Sequence, residues 1–448
     1  MNSPELLLPA GSLQHMRYAY AFGADAVYAG QPRYSLRVRN NAFHKLPVLA
    51  QGIEEAHALG KKFFVASNLM PHNVKIKTYM ADMDPVIAMK PDALIMADPG
   101  LIMMVRERWP EMPIHLSVQA NTVNYQAVKF WKAVGVSRVI LSRELSLDEI
   151  EEIRQECPEM EIEVFVHGAL CIAYSGRCLL SGYFNHRDPN QGSCTNSCRW
   201  DYKTHASDGN DDSPQKIDFK AFDAMNQGGL SDCGSQERHP LADDIYLIEE
   251  GNRPGEMMPI FEDEHGTYIM NSKDLRAIQH IERLAKIGVD SLKIEGRTKS
   301  IYYVARTAQL YRRAIDDALA GNKFDPTLIG KLDNLANRGY TDGFYQRHPT
   351  QEQQNYMVGY SSSDRQQYVG EVMGYDKEAQ CLDIDVKNKF SVGDKLELIL
   401  PEGNIELMLD KMQNSDGKII DVAPGSGHKV KIPYSGKVPE RGLLAIYL

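Results

Sequence analysis

Short apolar runs alternate with longer amphipathic segments through most of the chain. The runs are Leu6–Ala10, Ala26–Ala29, Phe63–Ser67, Ala93–Ala97, His115–Gln119, Arg138–Leu141, Glu161–Val166 and Ser291–Ile294. All but the seventh lead directly into a stretch with helical spacing, such as Leu13–Phe22, Leu46–Leu59 or Ile301–Leu319. Strand followed by helix, repeated, is the pattern of a parallel sheet covered by its own crossovers. Eight such units over residues 1–345 predict a (β/α)8 TIM-like barrel. An open doubly wound sheet is the alternative, but no G-x-G-x-x-G turn follows the first run, where a dinucleotide site would be expected.

The reactive face of such a barrel lies at the C-terminal ends of its strands. Here those ends are polar or glycine-rich: Ala10-Gly11, Ala29-Gly30, Ser67-Asn68, Asp98-Pro99-Gly100, Gln119-Ala120-Asn121, Arg143-Glu144, His167-Gly168 and Glu295-Gly296-Arg297. Period-two alternation puts His115, Ser117 and Gln119 on one strand face and Lys293, Glu295 and Arg297 on another, so both polar faces are expected to enter the lumen. The bland reading of each residue is that strand ends become loops and loops are polar.

The repeat breaks after the seventh run. Residues 163–199 form a cysteine-containing loop, and 203–244, rich in Asp, Ser, Asn, Gly and Gln, reads as a flexible surface insertion. The stretch Glu249–Asn271 reads as regular structure, with a hairpin about Asp263–Gly266. From 359 to 448 the texture changes to short strands without a long helix: Gln367–Tyr375, Cys381–Val386, Lys395–Leu400, Ile405–Met412 and Lys429–Ile432, with turns such as Val392-Gly393-Asp394. This predicts a small all-β barrel domain. It is expected to fold separately, so that a chain ending near Arg347 keeps the barrel intact. Lys387, Lys389, Lys395, Lys411, Lys429 and Lys431 would give it a basic patch for phosphate contacts, or simply solvated strand faces.

Composition narrows the chemistry. The net charge of −10 does not favour a nucleic-acid partner unless such a local patch exists. The first residues show no cationic region or long apolar run, which points to a cytoplasmic protein without a membrane segment. Seven cysteines, an odd number, fit a reducing compartment better than a disulfide framework. Four of them, Cys171, Cys178, Cys194 and Cys198, fall inside 28 residues with the spacing C-x6-C-x15-C-x3-C. Four converging thiolates suit an iron–sulfur cluster or a structural zinc, and the wide first spacing favours iron–sulfur. Cys157, Cys233 and Cys381 read as packing or surface residues.

The run EVFVHGALCIAYSGRCLLSGY and its continuation GSCTNSCRW resemble the signature of the collagenase-like peptidase U-32 family. The stretches LLLPAGSLQHMRYAYAFGADAVYAG, DALIMADPG, HLSVQAN, ILSRELSLDEI and NSKDLRAIQHIERLAKIGVDSLKIEGRTKS are similar to its tRNA-hydroxylating branch over essentially the whole length. The resemblance implies formation of 5-hydroxyuridine at the wobble position of tRNA, the first step towards 5-carboxymethoxyuridine-type modifications, with prephenate as co-substrate. It implies a [4Fe-4S] cluster on Cys171, Cys178, Cys194 and Cys198; some relatives take a fourth cysteine further downstream, but Cys198 stands in the C-x3-C-R form of the tRNA branch.

Prephenate carries two carboxylates, so cations are needed at the mouth. Arg143, Arg297, Arg177 and Arg37, with Tyr28 and Asn68, are the expected substrate-binding residues, and His167, Glu295, Arg297 and Gln119 the expected catalytic ones. Arg33, Arg39 and Lys299 are further cations near strand ends, and Tyr34, Tyr174 and Tyr183 are further aromatic faces for a base. Two other functions compete. A peptidase lacks support, since H-E-x-x-H and G-x-S-x-G are absent. A non-enzymatic translation module is suggested by NKFSVGDKLEL, which resembles the second domain of translation GTPases. Nothing in the sequence decides between a monomer and a homodimer.

Overall fold

A computed structural model describes residues 3–31, 33–36, 41–170, 273–337, 339–346 and 366–448, together with the backbone of four strands between 202 and 260. The cysteine quartet, Cys233, Arg37, Arg39, Tyr174, Arg177 and Tyr183 lie outside the described residues.

Eight parallel strands close into a barrel. Seven come in order: β1 (Glu5–Pro9), β2 (Ala26–Gly30), β3 (Lys62–Ser67), β4 (Ala93–Met96), β5 (Ile114–Leu116), β6 (Arg138–Ile140) and β7 (Glu161–Ala169). After them come β8 (Tyr202–Ala206), β9 (Gln215–Lys216), β10 (Tyr246–Glu250), β11 (Met257–Ile260), β12 (Asp274–Arg276), the eighth barrel strand β13 (Ser291–Ile294), and β14 (Tyr340–Thr341). Pairing of β13 with both β7 and β1 closes the ring. The helices are α1 (Leu13–Ala21), α2 (Leu46–Ala58), α3 (Asn73–Ala88), α4 (Pro99–Arg108), α5 (Tyr125–Ala133), α6 (Leu147–Glu156), α7 (Ile281–Ile287), α8 (Ile301–Leu319) and α9 (Thr327–Asp333). Local chemistry sets their starts: Ser12, Asp98, Asn124 and Ser300 cap α1, α4, α5 and α8, and Ser146 with Glu149 forms a reciprocal capping box on α6. No helix among the described residues is long and apolar enough to cross a membrane.

The part expected to be a flexible insertion carries regular structure. β8 and β9 fall inside it, and β8 pairs with β10 in a four-stranded antiparallel sheet ordered β11-β10-β8-β9. β10 pairs antiparallel with β11, Tyr246 opposite Ile260, while the hairpin expected about Asp263–Gly266 lies outside the described residues. The chain re-enters the barrel through β12, which runs antiparallel to the end of β7 and carries β14 on its other edge. Sequence patterning does not pick out these two short strands.

The C-terminal strands are β15 (Gln366–Asp376), β16 (Cys381–Val386), β17 (Phe390–Ser391), β18 (Lys395–Ile399), β19 (Ile405–Met408), β20 (Gln413–Asn414), β21 (Val422–Ala423), β22 (Lys429–Pro433) and β23 (Leu443–Tyr447). Seven form an antiparallel sheet, ordered β19-β18-β23-β15-β16-β22-β20, that curls as a half-barrel around its own apolar core. β23 sits between β15 and β18, so the last residues of the chain are structural.

This domain is not the loose appendage that its position suggests. Helix α8 has two buried faces. Tyr303 and Tyr311 turn towards the end of β7, while Tyr302, Arg306 and Gln309, at helical spacing, turn towards the β domain. The Arg306 guanidinium, 1% exposed, lies 3.1 Å from Glu397. Gln366 and Asn404 also donate to the Glu397 carboxylate. On α1, Tyr18 donates to Glu371 at 3.0 Å, and Ile399, Leu443 and Ala445 belong to the barrel's apolar cluster. A chain ending near Arg347 would bare a buried guanidinium and this apolar seam. The lysine patch is reduced as well: Lys387, Lys395 and Lys431 sit 2.6, 2.7 and 2.6 Å from Asp385, Glu406 and Asp376.

Glu397→Ala should destabilise the protein by about 3–5 kcal/mol in urea unfolding, because it leaves Arg306 buried without its partner, while Arg306→Met with Glu397→Leu should recover most of the loss. A neutral Glu397→Ala would show that the interface does not depend on this pair.

Candidate functional site

The lumen is built from alternate residues of the strands, and its lower half is ionic. Glu163, with no exposed surface, is held between Arg138, 3.2 Å away on β6, and Lys293, 2.7 Å away on β13. Arg138 also reaches Glu5 on β1 at 2.6 Å. It lies 5.4 Å from the Phe64 ring of β3 as well, and neither strand is its neighbour, so the contacts cross the barrel. Burial pushes the Glu5 carboxyl up, but Arg138 and Lys62 outweigh it and leave the group below its ordinary range. Burial pulls the Lys293 ammonium down, opposed by Glu163. His115 packs edge-on to Phe64 and is held well below the usual imidazole value, by burial first and then by Arg138 and Lys293.

Above this layer the lumen becomes aromatic and opens to the mouth. The Lys293 ammonium lies 4.4 Å from the centre of the Tyr28 ring and 5.5 Å from that of Phe165. The Tyr28 hydroxyl is 3.1 Å from both the Ile294 carbonyl and Glu295 Oε2. Burial and then Glu295 push this phenol well above its ordinary value, opposed by the charges of Arg297 and Arg143. Arg143 stacks on Phe165 at 3.9 Å and pairs with no carboxylate among the described residues. Arg297 donates to Ser35 Oγ at 2.9 Å and lies 5.8 Å from the Tyr28 ring. Two guanidinium groups thus stand at the ends of β6 and β13, Arg143 on Phe165 and Arg297 beside Tyr28 and its one carboxylate partner, which suits an anionic ligand with two acceptor ends.

The other candidates divide. Asn68 stands at the end of β3, accepting from the Leu36 N–H and donating to Ser117 at 3.3 Å. Gln119 is not on a strand face: β5 ends at Leu116, Ser117 caps a 3₁₀ turn over Val118–Ala120, and the two-residue alternation stops there. His167 does not join the mouth. Pairing between β7 and β13 slips by one residue at Lys293/Ile294, and the His167 ring turns among Tyr303, Tyr311 and Tyr340, with Tyr311 Oη 3.2 Å from Nδ1. The slip brings backbones together: Gly168 has φ +106°, and a Cβ there would stand 2.4 Å from the Glu295 carbonyl oxygen. Burial lowers the His167 pKa to about 3, which fits a neutral packing group better than a proton carrier. Tyr34 turns away too, donating to Asp82 at 2.7 Å, with Arg33 on the same carboxylate.

The residues that sequence reasoning passed over are Glu163, Ser35 and His15. Glu163 left a signal, an acid in the middle of the run Glu161–Val166, flanked by Ile162 and Val164. Beside the mouth a cleft of about 500 Å³ runs between the ends of β1, β2 and β13.

The family model Peptidase family U32 matches residues 11–355, and the model Peptidase family U32 C-terminal domain matches residues 364–445. The chain belongs to peptidase family U32. This U32 chain is 61% identical to tRNA hydroxylation protein P of Escherichia coli over 97% of its own length and 94% of that protein's. It is 58% identical to tRNA hydroxylation protein P of Haemophilus influenzae, over 95% and 92% of the two chains. It is 34% identical to tRNA hydroxylation protein P1 of Bacillus subtilis, over 98% and 93%.

The two buried imidazoles set a pH dependence. Each stays neutral when folded but takes a proton near pH 6.5 when unfolded, so the unfolded state binds more protons as pH falls and stability falls with it. For His167 the window runs from the ordinary value of 6.5 down to about 3. Stability should therefore drop by up to about 1.4 kcal/mol per pH unit for each imidazole between roughly pH 6 and 5, and His167→Gln should flatten the slope by that amount in urea titrations. An unchanged slope would contradict the buried, neutral assignment.

Proposed function

We propose that this chain hydroxylates tRNA, and that the reacting nucleotide is the wobble uridine, converted to 5-hydroxyuridine with prephenate as co-substrate. Hydroxylation of tRNA rests on family membership and on high identity, over nearly full length, to proteins of that name. The observation that carries the finer reading is the pair of strand-end guanidinium groups, Arg297 beside the Tyr28–Glu295 pair and Arg143 stacked on Phe165. A small dicarboxylate offers two anionic ends at a separation that two fixed guanidinium groups can span. Phe165, beneath Arg143, covers one face of that guanidinium and partly desolvates it, which strengthens charge-assisted hydrogen bonds to a carboxylate.

The buried Tyr28 hydroxyl stays protonated and donates, so Glu295 is held as an acceptor facing the ligand from below. Asn68, held by Ser117 and the Leu36 N–H, adds an amide at the opposite rim for a base edge. Cys171, Cys178, Cys194 and Cys198 would hold a [4Fe-4S] cluster, since four clustered thiolates form a donor set suited to iron–sulfur. Such a cluster supplies single-electron chemistry or a Lewis-acidic iron when bound.

Reconstitution tests the reading. Anaerobically purified protein, incubated with unmodified tRNA and prephenate, should form 5-hydroxyuridine by nucleoside mass spectrometry, and omission of prephenate should abolish it. Arg297→Ala should weaken prephenate use by roughly 10- to 100-fold, the loss of one charge-assisted contact worth about 1.5–3 kcal/mol. Cys198→Ala should lose iron and visible absorbance while Cys233→Ala keeps both. Full iron in Cys198→Ala would remove it from the ligand set, and unchanged kinetics in Arg297→Ala would remove the clamp.

A further inference from the structure

The cleft beside the mouth is not used by the dicarboxylate reading, although it opens on the same face of the barrel. Its walls include Gly11, Ser12, His15, His44, Arg297 and Lys299, and no carboxylate among the described residues contributes to its lining. Two cations stand on one short segment after β13, and the segment is unusually well held for a loop carrying a lysine. The Lys299 N–H donates to the Gly296 carbonyl at 2.9 Å, closing a tight turn. Gly296 has φ +148°, and a Cβ there would stand 2.7 Å from the Tyr303 ring and 3.1 Å from Lys299 Cγ, so the turn needs glycine and the lysine stem packs across it. The Lys299 ammonium lies 5.4 Å from the centre of the Tyr303 ring.

A third tie comes from α1. His15 Nε2 is 3.1 Å from the Lys299 carbonyl, which can only accept, so Nε2 carries the proton. Nδ1 is then the acceptor for the Ser12 hydroxyl, 2.7 Å away, and Ser12 Oγ in turn caps the helix by accepting from the His15 N–H. Burial lowers the His15 pKa, which keeps the ring neutral and makes it a pin rather than a third cation. The consequence is a lysine whose backbone is fixed from two elements and whose stem is packed. Fixing the stem in advance reduces the side-chain entropy lost when the ammonium meets an anion.

We infer that this cleft takes a backbone phosphodiester of the RNA strand that carries the reacting nucleotide, with Lys299 as its main cation and Arg297 shared with the mouth. The inference rests on the reading of the chain as a tRNA-hydroxylating protein and adds where the strand is held. An anion-binding cleft could serve a carboxylate of the small co-substrate instead, and the choice of RNA follows from position: the cleft lies to the side of the Tyr28–Glu295 pair, across Arg297 from it, where a strand must pass if one base is turned into the lumen. A net charge of −10 also makes a fixed local cation more necessary for holding RNA than in a basic protein.

The test uses the iron-loaded, full-length protein and a synthetic anticodon stem–loop RNA, with binding measured by filter retention at several salt concentrations. Lys299→Ala should weaken RNA binding several-fold and reduce the slope of log affinity against log salt by about 0.7–0.9, the value for one lost phosphate contact. Lys299→Arg should restore the slope. Prephenate binding, followed by calorimetry, should be the same in wild type and Lys299→Ala, and matching iron content and melting temperature would show that the variant is folded. An unchanged RNA affinity and slope in folded Lys299→Ala overturns the inference, as does a variant that loses prephenate binding while keeping RNA binding. Wild-type protein that binds no RNA even at low salt overturns the inference and the tRNA reading together, whereas RNA binding without hydroxylation would count against that reading alone.

Discussion

A carboxylate with no exposed surface stands at the centre of the barrel, and the site above it depends on how that charge is satisfied. Glu163 is compensated from two directions at once, by Arg138 and by Lys293, and Arg138 is shared with Glu5 on the far side of the lumen. Taking such charges out of water costs several kcal/mol per ion, so the arrangement persists only while every partner is in place. The contacts join β6, β7, β13 and β1, four consecutive strands of the barrel wall, with Arg138 and Glu5 linking the first to the last, and therefore constrain register as well as position. Lys293 is held between Glu163 and the face of Tyr28, and Tyr28 in turn donates to Glu295 at the mouth. A line of polar contacts runs from the floor of the barrel to its reactive end.

The β domain extends the same logic outward. Helix α8 follows directly on the loop that carries Arg297 and Lys299, and its other face is clamped to the β domain through Arg306 and Glu397. The domain therefore steadies the helix whose N-terminus begins at the cleft, without contributing a residue to the mouth among the described residues.

Much of the barrel was legible because it obeys a simple rule. All eight strands appear where apolar runs alternate with helical patterns, and each differs from the sequence reading by a few residues at most, since burial on both faces leaves runs such as Phe63–Ser67 with little ambiguity. β12, β14 and β23 were missed because they are short or terminal and owe their existence to partners distant in sequence. Arg297, Glu295 and Tyr28 were legible as strand-end positions and lie within one another's reach, with Arg143 on Phe165 at the end of β6. His167 looked equivalent, yet a one-residue slip in pairing turned it outward; a bulge of this kind leaves no trace in hydrophobic periodicity. Gln119 failed for a related reason, a strand ended early by the Ser117 cap.

The central claim is that this chain places a hydroxyl group on tRNA from a site at the barrel mouth. Its most direct test is nucleoside mass spectrometry of total tRNA from cells lacking the gene, carrying either the wild-type chain or Glu295→Gln. The account predicts that hydroxylated uridine and its derivatives vanish in the deletion, return with the wild-type chain, and stay absent or strongly reduced with a folded Glu295→Gln protein. Undiminished hydroxylated uridine in the deletion strain, with no second copy of the gene, would contradict it.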